Sequence, residues 1–185
     1  MKSLQFNLLV WLFAASIAFA QSYPISVSNS TIEWKGYKLT SDHYGTIKLL
    51  GGDLAFEDDQ LTGGSFSVDM TSIVVTDLTG GSKKNLEKHL KSGDFFDVEQ
   101  FPEATMVITA VEKTDDGYSV TGDFTIKGQT HPVTFPMTVK DNSAKADVKI
   151  DRSKYNVRYG SNSFFDNLGN KAIYDEFDLS VTLNF

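Results

Sequence analysis

Apolar and polar residues alternate along most of this chain, and this alternation is the strongest constraint on its fold. Near the C-terminus, Phe177, Leu179, Val181, Leu183 and Phe185 occupy every second position. Successive side chains of a strand point to opposite faces, so each such run predicts a strand with one apolar face. The same period of two recurs in five earlier segments: 32–34, 66–70, 124–126, 133–139 and 146–150.

Turn-forming residues separate these runs. Asp115-Asp116-Gly117 contains the Asp-Gly pair that is typical of tight hairpins. The segments 57–60, 128–132 and 141–143 are further predicted turns, and Gly51-Gly52 is interpreted as a bend within a strand rather than a turn. The pattern predicts an all-β domain of about eight strands, joined largely as hairpins in an antiparallel barrel or sandwich.

One segment breaks the alternation. Ser82–Lys91 is a predicted short helix, with Leu86 and Leu90 four residues apart on one face. The following segment, 92–102, contains three phenylalanines without clear periodicity. We expect this helix and loop to cover one end of the barrel. A sheet with one apolar face must pack against a second layer or close on itself, and eight strands can close around side chains or one small ligand.

The first twenty residues have the features of a secretory signal. Lys2 is followed by the apolar run Leu8–Phe19, which ends in the small-x-small pattern Ala18-Phe19-Ala20. We predict cleavage after residue 20, a single domain over residues 21–185, and a periplasmic or secreted location. An uncleaved membrane anchor is the alternative, but the apolar run is short for a membrane span.

Charge and cysteine content exclude several classes of function. The chain has 24 acidic and 17 basic residues and a formal charge of −7, which argues against nucleic acid as a partner. It contains no cysteine, so disulfides cannot stabilise it and a lipoprotein anchor is excluded. No second apolar run of membrane length follows residue 20, so stable membrane insertion is not expected.

The sequence offers no recognisable catalytic or metal-binding motif. His43, His89 and His131 are not paired at metal-ligand spacing, and no thiolate is available to join them. No Gly-x-Ser-x-Gly elbow occurs, and the paired carboxylates fall in predicted turns. We therefore expect no enzyme activity, no metal and no cofactor. An enzyme acting on lipids ranks last because no nucleophile–base pair is evident.

Several separated motifs resemble those of one known family. They are Leu90-Lys-Ser-Gly-Asp-Phe-Phe-Asp-Val98 with Phe101-Pro-Glu-Ala104, Gly122-Asp-Phe-Thr-Ile-Lys-Gly128, Val68-Asp-Met-Thr-Ser-Ile73, and Asp151-Arg-Ser-Lys-Tyr-Asn-Val157 with Tyr159-Gly160. The motifs are similar to the signature of YceI-like, polyisoprenoid-binding proteins. His43-Tyr-Gly-Thr46 resembles the family's His-Gly element with one residue inserted.

The resemblance implies a lipocalin-like antiparallel barrel with an elongated internal cavity. It implies a long apolar ligand such as a polyisoprenoid, an isoprenoid quinone or a fatty amide, together with export to the periplasm and often a homodimer. The rival interpretation is a fully packed barrel, which would serve as a structural or stress-related interaction protein without a ligand.

The candidate ligand-binding residues follow from the alternation and from the aromatic loops. His43 and Tyr159 are candidates for holding a polar head group. Arg152 and Arg158 could hold a head group or form an ion pair at the barrel rim, and the rim pair is favoured. Phe96 and Phe101 are placed at the mouth. The predicted lining comprises Trp34, Phe66, Met70, Phe124, Phe135, Phe164 and Phe165.

Overall fold

The computed structural model describes residues 20–185, which form nine strands, one α-helix and three short 3-10 helices. The strands are β1 (Gln21–Pro24), β2 (Thr31–Lys38), β3 (Ser41–Glu57), β4 (Gln60–Val75), β5 (Glu103–Thr114), β6 (Gly117–Ile126), β7 (Gln129–Lys140), β8 (Ser143–Asp151) and β9 (Ile173–Asn184). The helix α1 spans Gly80–Lys91, and the 3-10 turns are Val27–Asn29, Arg152–Tyr155 and Gly169–Lys171.

Eight of the strands close into a barrel. The order is β3-β2-β9-β8-β7-β6-β5-β4, the β3–β4 pairing closes the ring, and every pairing is antiparallel. β1 is an additional strand on the edge of β3, where Gln21 lies opposite Phe56. The predicted all-β antiparallel barrel with one short helix is confirmed.

Close contact between β3 and β4 depends on glycine. A Cβ on Gly45 would lie 1.8 Å from the Val74 carbonyl oxygen, and one on Gly52 would lie 2.3 Å from that of Ser65. The register between these strands shifts between Leu49 and Gly51. The bend expected at Gly51-Gly52 is therefore a β-bulge inside β3, which helps a long strand to curve around a barrel.

The hairpin topology gives the barrel two different ends. The turns 58–59, 115–116 and 141–142 lie at one end, which we call the closed end because side chains pack it solidly. The connections 39–40, 76–102, 127–128 and 152–172 lie at the opposite end, which we call the mouth end. At the closed end the rings of Tyr23, Phe56 and Phe185 pack within 5.5–5.9 Å of one another, and Leu54 and Val120 are fully buried.

Three sequence predictions differ from the structure or lie outside it. α1 begins at Gly80, with Thr79 as the preceding extended residue, rather than at Ser82. The turn predicted over 128–132 is confined to 127–128, and His131 and Pro132 lie in β7. The predicted signal comprises residues 1–20, and all of it except Ala20 lies outside the described residues. Within residues 20–185 no helix is both long and apolar enough to cross a membrane.

Candidate functional site

A cavity of about 190 Å³ lies inside the barrel. Its wall is almost entirely apolar, because the inward-facing positions of the alternating strands supply it. Apolar cavities of this size stay dry and take up apolar molecules instead of water. The wall includes Ile32, Trp34, Leu49, Phe66, Val68, Met70, Ile73, Met106, Phe124, Ile126, Phe135, Met137, Ala146, Val148, Ile150, Phe177, Leu179, Val181 and Leu183.

The cavity is elongated along the strands. On β9 alone the wall residues run from Ile173 to Leu183, and ten steps of extended strand cover about 33 Å. The wall residues of β9 therefore span most of the length of that strand. This shape suits a chain-like molecule rather than a compact one.

Six of the predicted ligand-binding residues lie on the cavity wall. Phe96, which was expected at the mouth, lies where the 92–102 loop meets the cavity, and its ring contacts the rings of Phe95 and Phe177 at 5.0 and 6.4 Å. Their role in binding stays a prediction, but the structure brings them together around one space. The six are Trp34, Phe66, Met70, Phe96, Phe124 and Phe135.

Three predicted phenylalanines lie away from the wall. Phe101 packs below the β6–β7 turn, where a Cβ on Gly128 would lie 3.0 Å from its ring. Phe164 and Phe165 are 39% and 49% exposed on the outside of the connection between β8 and β9. Both of their backbone N–H groups donate to the Ser161 carbonyl, and this turn directs the two rings outward. Alternation could not place them, since none lies in a strand.

The two head-group candidates also lie off the cavity wall. The Nδ1 atom of His43 lies 2.7 Å from an Asp77 carboxylate oxygen at the mouth end. Tyr159 is half exposed, and its ring packs on the ring of His89 with 4.3 Å between centroids. Each side chain therefore already has a partner within the protein. Neither is placed to contact a head group inside the barrel.

Arg152 forms the ion pair favoured from the sequence, with Asp175 at the mouth end, but it is buried instead of exposed at the rim. Only 2% of the residue is exposed. Its guanidinium donates to the backbone carbonyls of residues 157, 159, 173 and 174, and it lies 3.4 Å from Asp175. Burial lowers the pKa of Arg152, but an arginine still carries its charge at neutral pH. Arg158, the second arginine, is exposed, and its guanidinium lies over the Phe164 ring.

The mouth of the cavity lies between β2, β9 and the 92–102 loop. The pairing of β2 with β9 shifts register between Gly36 and Lys38, and Gly36 and Tyr174 contribute to the wall at that point. A Cβ on Gly36 would meet nothing within 4 Å. Sequence reasoning missed both residues, because a glycine and an exposed tyrosine carry no apolar pattern. The wall residues of β8 and β9 could have been named from their alternation.

The side chains around the cavity offer an apolar binding surface. No cluster of three or more His, Asp or Glu side chains suited to a metal ion occurs between residues 20 and 185. Cysteine is absent from the sequence altogether. The polar side chains that reach the wall, such as Arg152 and Tyr37, hydrogen-bond to other protein groups. The space inside the barrel is thus suited to an apolar molecule.

The His43–Asp77 pair predicts a change of stability with pH. Burial acts to raise the pKa of Asp77, but hydrogen bonds from His43 and from the Tyr44 N–H outweigh it, so the pKa is lowered. A carboxyl whose folded pKa is depressed stabilises the fold above its unfolded pKa of about 4, and this stability is lost as pH falls through the folded value.

We therefore expect Asp77→Asn to reduce the free energy of unfolding by about 1 kcal/mol at pH 7. The deficit should shrink toward pH 3, where the wild-type carboxyl also becomes protonated. Urea unfolding at the two pH values measures this. Asp116→Asn, in an exposed turn of the closed end, is the matched control. An equal deficit at both pH values would contradict the assignment.

The part of the chain that matches known proteins is the part that forms the barrel. Residues 23–185 match the family model described as the YceI-like domain. The chain belongs to the YceI-like family. A UPF0312 protein of Pseudomonas putida strain W619 is 34% identical over 134 residues, which is 69% of this chain and 66% of that relative. The protein YceI of an Escherichia coli O17:K52:H18 strain is 29% identical and covers 80% of this chain and 82% of its own length.

Solved structures share the YceI-like fold. BcnA of Burkholderia cenocepacia has a TM-score of 0.70 with 23% identity, and the alignment covers 86% of this chain and 98% of that one. A polyisoprenoid binding domain from Saccharophagus degradans, implicated in plant cell wall breakdown, has a TM-score of 0.56 with 10% identity. That alignment covers 86% of this chain and 95% of the domain. At these identities the similarity establishes the fold.

Proposed function

We propose that this YceI-like protein is an exported binding protein that holds a long apolar ligand in the barrel. The observation that carries the proposal is the elongated cavity with its apolar wall. The related polyisoprenoid binding domain of S. degradans supports an isoprenoid chain as the ligand class. An isoprenoid quinone or a fatty amide would fit the same wall.

The energetics favour a chain-like ligand. Each CH₂ group removed from water contributes about 0.8 kcal/mol, so ten buried groups contribute about 8 kcal/mol before the costs of association. Met70 and Met106 line the wall, and their flexible side chains can adapt to a branched or a straight chain. The wall therefore favours long apolar chains over short ones but does not select one chemical structure among them.

The barrel wall also limits how a head group is held. The guanidinium of Arg152 is already committed to four backbone carbonyls and to Asp175. A polar or charged head group placed deep in the cavity would lack partners, which is costly. We therefore expect the chain to enter first, with any head group left near Gly36 and Tyr174 at the mouth.

The closed end and the mouth end differ in a way that supports a carrier over a packed barrel. A barrel filled by its own side chains would leave no space, whereas here the rings of Tyr23, Phe56 and Phe185 cover the closed end and a cavity of about 190 Å³ remains inside the barrel. Export and periplasmic residence belong to the proposal through the signal features of residues 1–20. A homodimer is a further expectation, which light scattering on the purified protein tests.

Native mass spectrometry tests the proposed function. Protein recovered after export from its own host should show a mass above the apo mass by one lipid. Solvent extraction should then release a stoichiometric species with an isoprenoid or acyl chain. A mass that remains apo after incubation with isoprenoid quinones and fatty amides would contradict the proposal and favour the packed-barrel interaction protein.

A further inference from the structure

The connection between β8 and β9, residues 152–172, combines two properties at the mouth of the cavity. We call it the β8–β9 loop. It carries three exposed cations, the buried Arg152 and one acid, Asp166, in a chain whose formal charge is −7. It also exposes three aromatic side chains. The cations are Arg152, Lys154, Arg158 and Lys171, and the aromatic residues are Tyr159, Phe164 and Phe165.

The connections at the two ends of the barrel carry different net charges. The turns of the closed end contain five aspartates and no cation. The four connections of the mouth end together contain nine cations and six acids, which gives them a net charge of +3. An anionic surface would therefore orient the protein with its mouth toward that surface. The aspartates are Asp58, Asp59, Asp115, Asp116 and Asp141.

The exposed rings are held outward by a rigid frame. Tyr155, Val157 and Ser161 are at most 1% exposed and anchor the β8–β9 loop in the core. The Ser161 carbonyl accepts hydrogen bonds from the backbone of both Phe164 and Phe165. Single exposed apolar residues are normal on proteins, but adjacent large rings beside cations mark an interaction surface.

The same loop borders the cavity mouth. Its first residue, Arg152, lies on the cavity wall, and its end leads directly into Ile173 and Tyr174 of that wall. Tyr174 is 55% exposed. A surface cleft beside the mouth is lined by Arg158, Lys171 and Phe165, together with Asp94 and with Lys127, whose ammonium donates to the carbonyls of residues 93 and 95. Cations and aromatic rings together are what a membrane interface binds, through anionic head groups and the region just below them.

We propose that the β8–β9 loop docks the mouth of the barrel onto an anionic phospholipid bilayer. The inference rests on the proposed function, because a lipid carrier needs a surface at which its ligand transfers. Phe164 and Phe165 insert at the head-group level, and Arg158 and Lys171 contact lipid phosphates. The cavity mouth then faces the membrane, so an apolar chain passes into the barrel with little exposure to water.

Vesicle sedimentation tests the proposal on residues 21–185, which contain every strand of the closed barrel. Vesicles of equal parts phosphatidylglycerol and phosphatidylcholine should bind the protein about tenfold more tightly than pure phosphatidylcholine vesicles. The double variant Phe164→Ser/Phe165→Ser should lose about tenfold in affinity. Arg158→Glu/Lys171→Glu should lose at least as much, and only on the anionic vesicles.

Two control variants test whether loss of vesicle binding is specific to the β8–β9 loop or follows from any loss of exposed apolar surface or positive charge. Val107→Ser removes an equally exposed apolar side chain from β5, and Lys113→Glu/Lys140→Glu reverses two charges at the closed end. Both controls should bind vesicles as the wild type does. Absent vesicle binding, or binding that the β8–β9 loop variants leave unchanged, overturns the docking proposal. So does a dimer in light scattering that Phe164→Ser/Phe165→Ser dissociates, because the surface would then serve a second copy.

The lipid content of the variants distinguishes the two proposals. Loop variants that still carry a lipid but no longer bind vesicles support docking. Variants that carry lipid and bind vesicles as before contradict docking and leave the carrier function intact. A wild-type protein that binds anionic vesicles through the loop but contains no lipid after export or incubation contradicts the carrier function while supporting the docking surface itself.

Discussion

Ala146→Phe should abolish ligand retention while leaving the barrel folded. Ala146 lies on the cavity wall in β8, opposite Met137 on one side and Val181 on the other. A phenylalanine there places a ring inside a cavity of only about 190 Å³. Because the ring takes up space that a long ligand would occupy, we expect at least about a tenfold loss of affinity, equal to about 1.4 kcal/mol.

The variant should remain folded because the added ring enters empty space rather than filled core. Overpacking costs about 1–3 kcal/mol where a core is tightly packed, and less where a cavity receives the new atoms. Gly36→Leu should also prevent ligand retention without unfolding the barrel, because Gly36 lies at the mouth and a Cβ there would meet nothing within 4 Å. It narrows the entrance without touching the middle of the cavity.

Ala110→Phe is the matched control, because Ala110 also lies in a strand but is exposed. Lipid extraction and native mass spectrometry of the three variants give occupancy, and circular dichroism reports the fold. We expect full occupancy for Ala110→Phe and almost none for Ala146→Phe and Gly36→Leu. Normal lipid content in Ala146→Phe with an unchanged barrel would show that the ligand, if any, lies elsewhere.

The cavity wall could be predicted from the sequence where strands supply it. Trp34, Phe66, Phe124 and Phe135 sit at inward positions of an alternating run, and alternation assigns a side chain to a face. Alternation says nothing about loops. Phe164 and Phe165 were assigned to the lining because aromatic loop residues often cover a cavity, but the local turn around Ser161 directs them to the outside.

The mouth could not be predicted because it depends on register and on buried polar contacts. Gly36 lies at the mouth because the pairing of β2 with β9 shifts register there, and this shift is visible only when the two strands are aligned. Arg152 was interpreted as part of an ion pair at the rim because exposed ion pairs are common and weak. Its burial depends on backbone carbonyls of residues 157–174 that converge on it only in the folded loop.

Arg152→Met should be the most destabilising of these substitutions, with a loss of about 4 kcal/mol in the free energy of unfolding. The guanidinium holds both ends of the β8–β9 loop, since it donates to Val157 and Tyr159 near the start and to Ile173 and Tyr174 near the end. Methionine fills a similar volume but removes the donor of these carbonyls and the cation beside Asp175, whose other carboxylate oxygen still accepts from the Ser163 hydroxyl. Buried acceptors that lose their donor cost about 1–3 kcal/mol each.

Urea unfolding at pH 7 measures the loss, and Arg158→Met is the control because that side chain is exposed. Arg158→Met should change the free energy of unfolding by less than about 0.5 kcal/mol. Arg152→Lys should lose nearly as much unfolding free energy as Arg152→Met, because one ammonium group cannot replace a planar guanidinium that donates to four carbonyls. If Arg152→Met were as mild as Arg158→Met, the loop would be held by Tyr155 and Val157 alone. If only the Arg152 variants lose stability, the buried guanidinium of Arg152 is what holds the β8–β9 loop, and with it the mouth of the cavity, in place.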